Sequence, residues 1–304
     1  MSTKIRFLAG VAVLAVVALL ASACGEGGSS STSTSGETTT IPTPTVNSDI
    51  AAQVPADIQS KGTLTVATDP TYAPNEFVGT DGTSIEGMDP DLGAALAAVM
   101  GLKFNFVSAS FDAIIPGLSS GKYNLGIASF TDTKEREQVV DFVTYFSAGT
   151  SFYVKAQGGP TINTLADLCG HTVAAERGTT QAADATAQSA KCKNAGKAGV
   201  TVRVFPDQNA ATLALASGRA DVGMADKPVA GYTAKASNGR FKVVGPGYGP
   251  FPYGIAIPKD NGMVKPVLDA LKVLIANGQY TAILTKWGIQ EGAIDTPVVN
   301  GAIN

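Results

Sequence analysis

The sequence predicts an α/β protein with a folded body long enough for two lobes. Short β-branched or apolar runs alternate with helical patterns along most of the chain, which is typical of an α/β architecture. The body from about residue 49 onward has room for one large domain or for two lobes of roughly 100 residues. Two segments favour two lobes, because small and turn residues suit a chain crossing: 147–151 and 245–254.

The first half of the body predicts three helical segments among four strands. One helix is expected where Asp89 can act as its cap and Pro90 suits its first turn, because Leu92, Leu96 and then Val99 or Met100 recur at helical spacing. A second helical segment covers 111–118, and Thr133 can cap a short third helix. We expect strands at 63–67, 104–107, 125–128 and 139–143.

The second half continues the alternation and then ends in helices. A helix is expected to begin at Thr179 or Thr180, and another to cover 207–217. Strands are expected at 152–155, 172–175, 201–205 and 220–224. After the second crossing the chain would return to the first lobe, where two helical stretches close it, 263–275 and 280–287.

The first 23 residues predict a secretory signal peptide. Two basic residues, Lys4 and Arg6, precede an apolar run over 7–20, which is shorter than a membrane-spanning helix needs. Small residues lie directly before Cys24, and this arrangement resembles a bacterial lipobox, although Ala21 stands where leucine is commoner. The resemblance implies that Cys24 carries a lipid anchor; ordinary cleavage that leaves a free cysteine is the alternative.

Residues 24–48 predict a disordered lipoprotein tether. This segment consists mainly of Ser, Thr, Gly and Pro, so it has too little apolar surface to fold. A flexible chain of this length spans on the order of 25 to 30 Å, enough to hold a folded body clear of a lipid surface. We therefore expect the protein on the outer face of the cytoplasmic membrane.

Charge and composition exclude several classes of partner. Without residues 1–23 the chain has 20 basic and 25 acidic residues, a net charge of −5, which does not fit a nucleic-acid-binding surface. No second long apolar run follows, so we expect a soluble, monomeric body. His171 is the only histidine, so no metal site is expected, and no pattern points to a cofactor.

With Cys24 assigned to the anchor, two cysteines remain. In an exported, oxidising context we expect Cys169 and Cys192 to form a disulfide. Two unpaired thiols are the alternative, because spacing alone does not establish that their Cα atoms lie close together.

Several long motifs in order resemble the family 3 extracellular solute-binding proteins of bacterial importers, the group containing histidine, lysine/arginine and glutamine binders. They are A-T-D-P-T-Y-A-P (67–74), G-M-D-P-D-L (87–92), D-A-I-I-P-G-L-S-S-G-K-Y-N-L-G-I-A-S-F-T-D-T-K-E-R (112–136), V-D-F (140–142), G-T-T-Q (178–181) and G-R-A-D-V-G-M-A-D (218–226).

The resemblance implies a periplasmic-binding-protein type II fold with two hinge crossings and a ligand cleft that closes between the lobes. The first lobe is expected over 49–147 and the second over 148–248. Residues 249–304 would complete the first lobe and form a C-terminal tail. The partners it implies are an amino-acid ligand and the permease subunits of an ABC importer.

The same resemblance implies which residues bind the amino-acid backbone. Arg136 would bind the α-carboxylate through its fork of donors, with Ser129 and Thr131 adding contacts. Thr180 would contact the carboxylate from the second lobe at a helix N-terminus, and Asp226 would bind the α-ammonium. The alternatives are local: Arg136 could pair with Glu135 or Asp132, Asp226 with Lys227, and Thr180 could be only a helix cap.

Ligand selection is expected from Asp69, Tyr72 and Phe111, which line the pocket by resemblance. The aromatic rings offer faces for a flat or cationic group, and Asp69 accepts hydrogen bonds; Phe111 could instead belong to the core. Asn75 stands where the family commonly has phenylalanine, so this end of the site is more polar. We expect a polar or cationic amino acid such as arginine, lysine, histidine or glutamine.

Two other functions are compatible with the sequence. The same fold hosts a cyclohexadienyl dehydratase, a lyase, and Glu176 could supply the general acid that such a reaction needs, unless it pairs with Arg177 at the surface. A ligand-sensing accessory protein would use the same lobes and act through a membrane receptor. We expect binding rather than catalysis, because no catalytic triad, phosphate loop or metal cluster is evident.

Overall fold

The computed structural model describes residues 44–303, which contain eleven strands. The two longest strands cover the segments predicted as crossings. The strands are β1 (Thr63–Thr68), β2 (Thr71–Tyr72), β3 (Glu76–Val78), β4 (Ile85–Glu86), β5 (Lys103–Ser108), β6 (Leu125–Gly126), β7 (Val140–Lys155), β8 (Thr172–Glu176), β9 (Thr201–Phe205), β10 (Val222–Asp226) and β11 (Phe241–Pro258).

Helices connect most of these strands. The α-helices of the described residues are α1 (Ser48–Ala51), α2 (Ala56–Lys61), α3 (Met88–Val99), α4 (Phe111–Ser119), α5 (Lys134–Glu137), α6 (Thr180–Asn194), α7 (Gln208–Ala216), α8 (Lys227–Ala236), α9 (Val264–Ala276) and α10 (Gln279–Trp287). Two short 3-10 helices cover Leu165–Leu168 and Gln290–Gly292.

Eight strands form one sheet, in the order β5-β1-β6-β11-β7-β10-β8-β9. The parallel strands β5, β1 and β6 lie on one side, and β10, β8 and β9 lie on the other. The long strands β7 and β11 are antiparallel and pass between the two sides. A second sheet of the described part contains β2, β3 and β4.

The pairing of β7 with β11 locates the two crossings. Residues 241–244 pair with 152–155, and residues 254–258 pair with 140–144. Between these regular stretches the register shifts at Val244/Tyr248, Tyr248/Phe251 and Tyr253/Gly254. The chain therefore passes twice between two halves, at the predicted segments, which confirms the two-lobed α/β fold.

Each half has its own buried core. In the first half, α3, α9 and α10 pack on the sheet through residues such as Leu92, Leu271 and Leu284. In the second half, Val173, Val222 and the disulfide cysteine Cys192 are buried together. The sequence predicts both cores because apolar residues recur at helical spacing or occupy the buried strands.

The predicted disulfide is present. Cys169 follows the first 3-10 helix, and Cys192 lies in the last turn of α6; their Cα atoms are 5.6 Å apart and the two sulfurs are bonded. The bond ties the C-terminal end of α6 to the loop before β8. Cys24, the signal peptide and most of the tether lie outside the described residues.

Two local predictions need correction, and two elements were not predicted. The cap of α3 is Gly87 at φ 136°, where a Cβ would lie 2.1 Å from the Asn75 carbonyl oxygen, and Asp89 is instead a buried residue within the helix. Strand β6 is only two residues long. The helix α8 and the sheet of β2, β3 and β4 were not predicted, because Pro228 and Gly231 resemble helix breakers and the three strands are very short.

The N-terminal boundary of the body lies slightly earlier than predicted. Asn47 caps α1 and its backbone N–H donates to Val99 at 2.9 Å, so it already belongs to the folded part. Within residues 44–303, none of the helices combines the length and the apolar character required to cross a bilayer.

Candidate functional site

A narrow cavity lies at the ends of strands from both halves. All eight residues predicted to bind ligand line it: Asp69, Tyr72, Phe111, Ser129, Thr131, Arg136, Thr180 and Asp226. The structure also places five other residues in the lining: Glu76, Ala128, Glu176, Thr179 and Gln181.

Arg136 spans the cleft from the first half. Its side chain donates to the carbonyl of Thr131 at 2.6 Å and to the carbonyl of Gly178, in the second half, at 2.9 Å. The guanidinium lies 5.3 Å from the centre of the Phe111 ring, a cation–π contact. Because a guanidinium has five N–H donors, these two bonds leave donors for an anionic group in the cavity.

Local chain geometry positions this arginine. Thr133 caps α5 by accepting from the backbone N–H of Arg136 at 3.2 Å. Gly178 has φ 80°, and a Cβ there would lie 2.9 Å from the Cβ of Asp112. Glycine is therefore favoured at this position, whose carbonyl accepts from Arg136. Burial lowers the pKa of Arg136 to about 10, and the negative charge of Asp226 opposes that shift. The arginine stays charged at neutral pH.

The second half contributes the N-terminus of α6. Thr179 caps the helix by accepting from Ala182 at 3.3 Å, and Thr180 is the first helical residue. The cap and the pocket lining therefore involve neighbouring threonines, so a capping role does not exclude Thr180 from the site. The 15-residue helix directs its positive dipole end at the cavity, which favours an anion there.

Asp226 ends β10 and is almost completely buried. Its carboxylate accepts from Gln181 at 2.8 Å and from the hydroxyl of Tyr72 at 3.1 Å. Burial raises its pKa to about 6, although these hydrogen bonds and the charge of Arg136 favour the ionised form. The predicted local alternative is not observed, since Lys227 forms its ion pair with Glu291 at 2.9 Å.

Asp69 and Phe111 lie together on the first half. Asp69 follows β1, and its carboxylate accepts from Thr71 at 2.8 Å and from the backbone N–H of Phe111 at 2.9 Å. The Phe111 ring stacks on Phe130 at 4.6 Å between ring centres. Phe111 thus contacts the core through one face and lines the cavity as well.

Ser129 belongs to a buried acidic network. Its backbone has φ 51° and its N–H donates to Asp89 at 2.9 Å, while its hydroxyl donates to Glu76 at 3.1 Å and accepts from Asn75 at 2.9 Å. Burial and the neighbouring Asp89 raise the pKa of Glu76 well above its usual range. Asn75 therefore supports Ser129 and does not line the cavity itself.

Glu176 ends β8 and is 2% exposed. Burial is the main cause that raises its pKa to about 10, and the nearby carboxyl of Asp69 adds to the shift. The alternative of a surface pair with Arg177 is not observed, because Arg177 lies 3.8 Å from Asp112 instead. Glu176 is therefore protonated at neutral pH inside the cavity.

Gln181 and Glu76 were missed as site residues. Gln181 closes the G-T-T-Q motif, and its amide donates to both Asp226 and Thr150. Glu76 adjoins Asn75, the departure from the family pattern that already pointed to a polar region. The G-T-T-Q motif could have indicated Gln181, whereas Glu76 is placed by contacts with Ser129 and Asp89 that are distant in the sequence.

The arrangement separates two kinds of charge. Arg136 and the start of α6 favour an anion, and Asp226 lies near enough to influence Arg136 electrostatically. Asp69 and Glu176 form a second acidic group, and the carboxyl of Glu76 lies in the same lining. The cavity can therefore accept a small ligand with one carboxylate and more than one cationic or donor group.

Comparison with known proteins identifies relatives along most of the chain. The sequence is 36% identical over 253 residues to the arginine-binding protein ArgT of Corynebacterium glutamicum, covering 83% of each chain. A solved ancestral arginine-binding protein bound to glutamine matches with a TM-score of 0.69 and 36% identity, covering 75% of this chain and 98% of that one.

A second solved structure is an ancestral amino-acid-binding protein, AncCDT-1, described as a precursor of cyclohexadienyl dehydratase. It matches with a TM-score of 0.66 and 35% identity, covering 76% of this chain and 97% of that one. The sequence profile of bacterial extracellular solute-binding proteins, family 3, matches residues 64–290. The chain belongs to this family of bacterial extracellular solute-binding proteins.

Proposed function

We propose that the protein captures a cationic amino acid, with L-arginine as the best-fitting ligand, and delivers it to an ABC importer. The observation that carries this proposal is the cavity itself, which presents Arg136 and a helix N-terminus together with four acidic side chains. A buried carboxylate is costly unless it is paired, so a cationic ligand group is a natural partner for the carboxyls that ionise in this cavity. Relatives named as arginine-binding support the same assignment.

The proposed ligand contacts follow from the charges of the lining. Arg136 binds the α-carboxylate with its remaining donors, assisted by Thr131, Ser129 and Thr180. Asp226 binds the α-ammonium, because its pKa of about 6 keeps it ionised at neutral pH. The side chain of the ligand extends toward Asp69, with Tyr72 and Phe111 lining its path.

Capture is proposed to proceed by closure of the two halves. Contacts between them already lie on both sides of the cavity: Arg136 reaches Gly178 at 2.9 Å, and Thr71 accepts from the backbone N–H of Gln208 at 3.2 Å. A ligand that touches both halves favours this closed arrangement over an open one. The proposed lobes are 49–147 with 249–304, and 148–248.

Delivery requires the protein to stay near its permease. We propose that signal peptidase removes residues 1–23 and that Cys24 carries the lipid anchor on the outer face of the cytoplasmic membrane. The pattern around Cys24 supports this step. The protein would act as a monomer, with permease subunits as its partners.

Calorimetric titration with the common L-amino acids tests the proposed ligand. Arginine should bind most tightly, and argininamide, which lacks the carboxylate, should bind at least about 100-fold more weakly because it loses a charge-assisted pair with Arg136. Arg136→Ala should weaken arginine binding to a similar extent. Lys134→Ala, an exposed neighbour on α5, is the matched control. Failure of every amino acid to bind would refute the proposal.

A dehydratase is the second candidate, favoured by one specific observation. Glu176 is a protonated carboxylic acid inside the cavity, and a general acid is what loss of a hydroxyl group requires. One solved relative is named as a precursor of cyclohexadienyl dehydratase. Incubation with prephenate or arogenate tests this candidate: a product that forms with wild-type protein and not with Glu176→Gln would support it.

A further inference from the structure

Asp69 and Glu176 bring two carboxyl groups together from opposite halves of the protein. Asp69 follows β1 in the first half, and Glu176 ends β8 in the second. Both side chains line the cavity, and after burial the carboxyl of Asp69 is the largest cause that raises the pKa of Glu176. Two ionised carboxylates cannot share such a position at low cost, so the closed cleft needs either a proton or a cation between them.

Neither carboxyl is fully satisfied by the protein. Asp69 accepts two hydrogen bonds, from Thr71 and from the N–H of Phe111. Oε1 of Glu176 is buried and receives no hydrogen bond from the donors of residues 44–303. A buried acceptor without a donor is costly, and inside a ligand cavity it is a position that a ligand donor can fill.

The surroundings add negative charge to this pair. After burial, the carboxylates of Asp69, Asp207 and Asp112 raise the pKa of Glu176. The only nearby cation on its own segment, among the described residues, is Arg177, and that side chain is half exposed and directed at Asp112. The phenols of Tyr72 on β2 and Tyr153 on β7 also interact electrostatically with Glu176, and Arg136, Asp226 and Glu76 line the same cavity.

We propose that Glu176 and Asp69 form a two-carboxyl clamp that binds the side-chain cation of the ligand. Without ligand the two carboxyls share a proton, and they release it when the cation binds. The proposal rests on the proposed function and extends it, because it assigns the selection of cationic over neutral amino acids to Glu176. Two carboxylates on one guanidinium match its planar, forked donors. No bond between heavy atoms changes; the O–H bond of the shared proton breaks and the proton passes to solvent as the guanidinium takes its place.

The clamp has two consequences for binding. Arginine displaces a proton that Glu176 otherwise holds up to about pH 10, so its affinity should rise with pH by up to tenfold per unit between pH 7 and 9. Glutamine carries no side-chain charge and leaves the shared proton in place. The preference for arginine over glutamine should therefore increase with pH.

The deciding experiment is calorimetry of wild-type protein at pH 8 in two buffers with different ionisation enthalpies. At this pH Asp226 is already ionised, since its pKa is about 6. Subtracting the result for glutamine removes the contribution of the α-ammonium, which both ligands share. We expect arginine to release close to one proton more than glutamine does.

Glu176→Gln tests the assignment, with Glu86→Gln on the exposed strand β4 as the matched control. In this variant the additional proton release should disappear. The affinity for arginine should fall about tenfold to a hundredfold, while the affinity for glutamine changes little. Glu86→Gln should behave as the wild type. Glutamine binding by Glu176→Gln also reports that the variant is folded.

The outcomes distinguish failure of the clamp from failure of the proposed function. If arginine binds to the wild type with no more proton release than glutamine, the clamp is refuted and the proposed function stands. Unchanged selectivity in Glu176→Gln would refute it as well. If neither amino acid binds to the wild type, the proposed function fails and the clamp fails with it.

Discussion

The hydroxyl of Tyr72 forms two hydrogen bonds with Asp226, donating to Oδ2 at 3.1 Å and accepting from the backbone N–H at 2.9 Å. The two residues are 154 positions apart and belong to opposite halves. One phenol therefore connects the halves directly beside the proposed ammonium site. It also supplies one of the donors that keep a buried carboxylate ionised.

We expect Tyr72→Phe to weaken arginine binding by about 10- to 100-fold, because a buried carboxylate oxygen and a buried N–H lose their partner. The pKa of Asp226 should rise further, so the loss should be larger at pH 6 than at pH 8. Calorimetric titration at both pH values measures this. Tyr232→Phe, on the exposed face of α8, is the matched control; equal effects of the two substitutions would contradict the role of Tyr72.

Replacing both Cys169 and Cys192 by serine should reduce the free energy of unfolding by about 3 kcal/mol, because the bond closes a loop with a sequence separation of 23. Ligand affinity should remain unchanged, since Cys192 lies about 18 Å along α6 from Thr180. Urea denaturation and calorimetric titration measure the two quantities. A loss of affinity without a loss of stability would contradict this separation.

The stability of the ligand-free protein should decrease as pH rises from 7 to 9. Folded Glu176 keeps its proton up to a pKa of about 10, whereas the unfolded side chain loses it near 4.5, so the folded state binds more protons throughout this window. The slope from this one group approaches about 1.4 kcal/mol per pH unit. Urea denaturation at pH 7, 8 and 9 should give a shallower slope for Glu176→Gln; identical slopes would contradict the raised pKa.

The C-terminal segment should support the loop that carries Arg136. The backbone N–H of Gly301 donates to Asp132 at 2.7 Å, and that of Ala302 donates to Glu137 at 3.1 Å, on either side of the arginine. Removal of residues 297–304 should weaken arginine binding by roughly tenfold, because two acceptors beside the site lose their donors.

Val298→Ala is the control for that truncation, since Val298 is 44% exposed and its backbone contacts with Thr144 remain. Calorimetric titration and thermal melting should be measured on both variants. A truncated protein that melts earlier and binds arginine as tightly as wild type would limit the segment to a role in stability.

The sequence predicted those parts of the site that lie in contiguous motifs. Their roles are implied by resemblance: Arg136 ends the long motif 112–136, Thr180 lies in G-T-T-Q, and Asp226 ends G-R-A-D-V-G-M-A-D. All eight predicted residues line one cavity because the two crossings place both sets of strand ends face to face.

The errors came from contacts between distant segments. Asp89 has the residue type and position of a helix cap, yet its carboxylate accepts from Ser129 and Tyr145, 40 and 56 residues away. Arg177 adjoins Glu176 in the chain but points to Asp112, because alternate residues at a strand end face opposite sides. Neither partner can be identified from spacing.

By itself, the sequence determined the α/β class and the two crossings, because periodicity and turn chemistry act over a few positions. Its resemblance to family 3 solute-binding proteins supplied the residues of an amino-acid site. Only the tertiary structure decided the protonation of Glu176 and the partners of Asp226. Those properties depend on burial and on charges from the other half of the protein, and they arise when β1, β8 and β10 meet at one cavity.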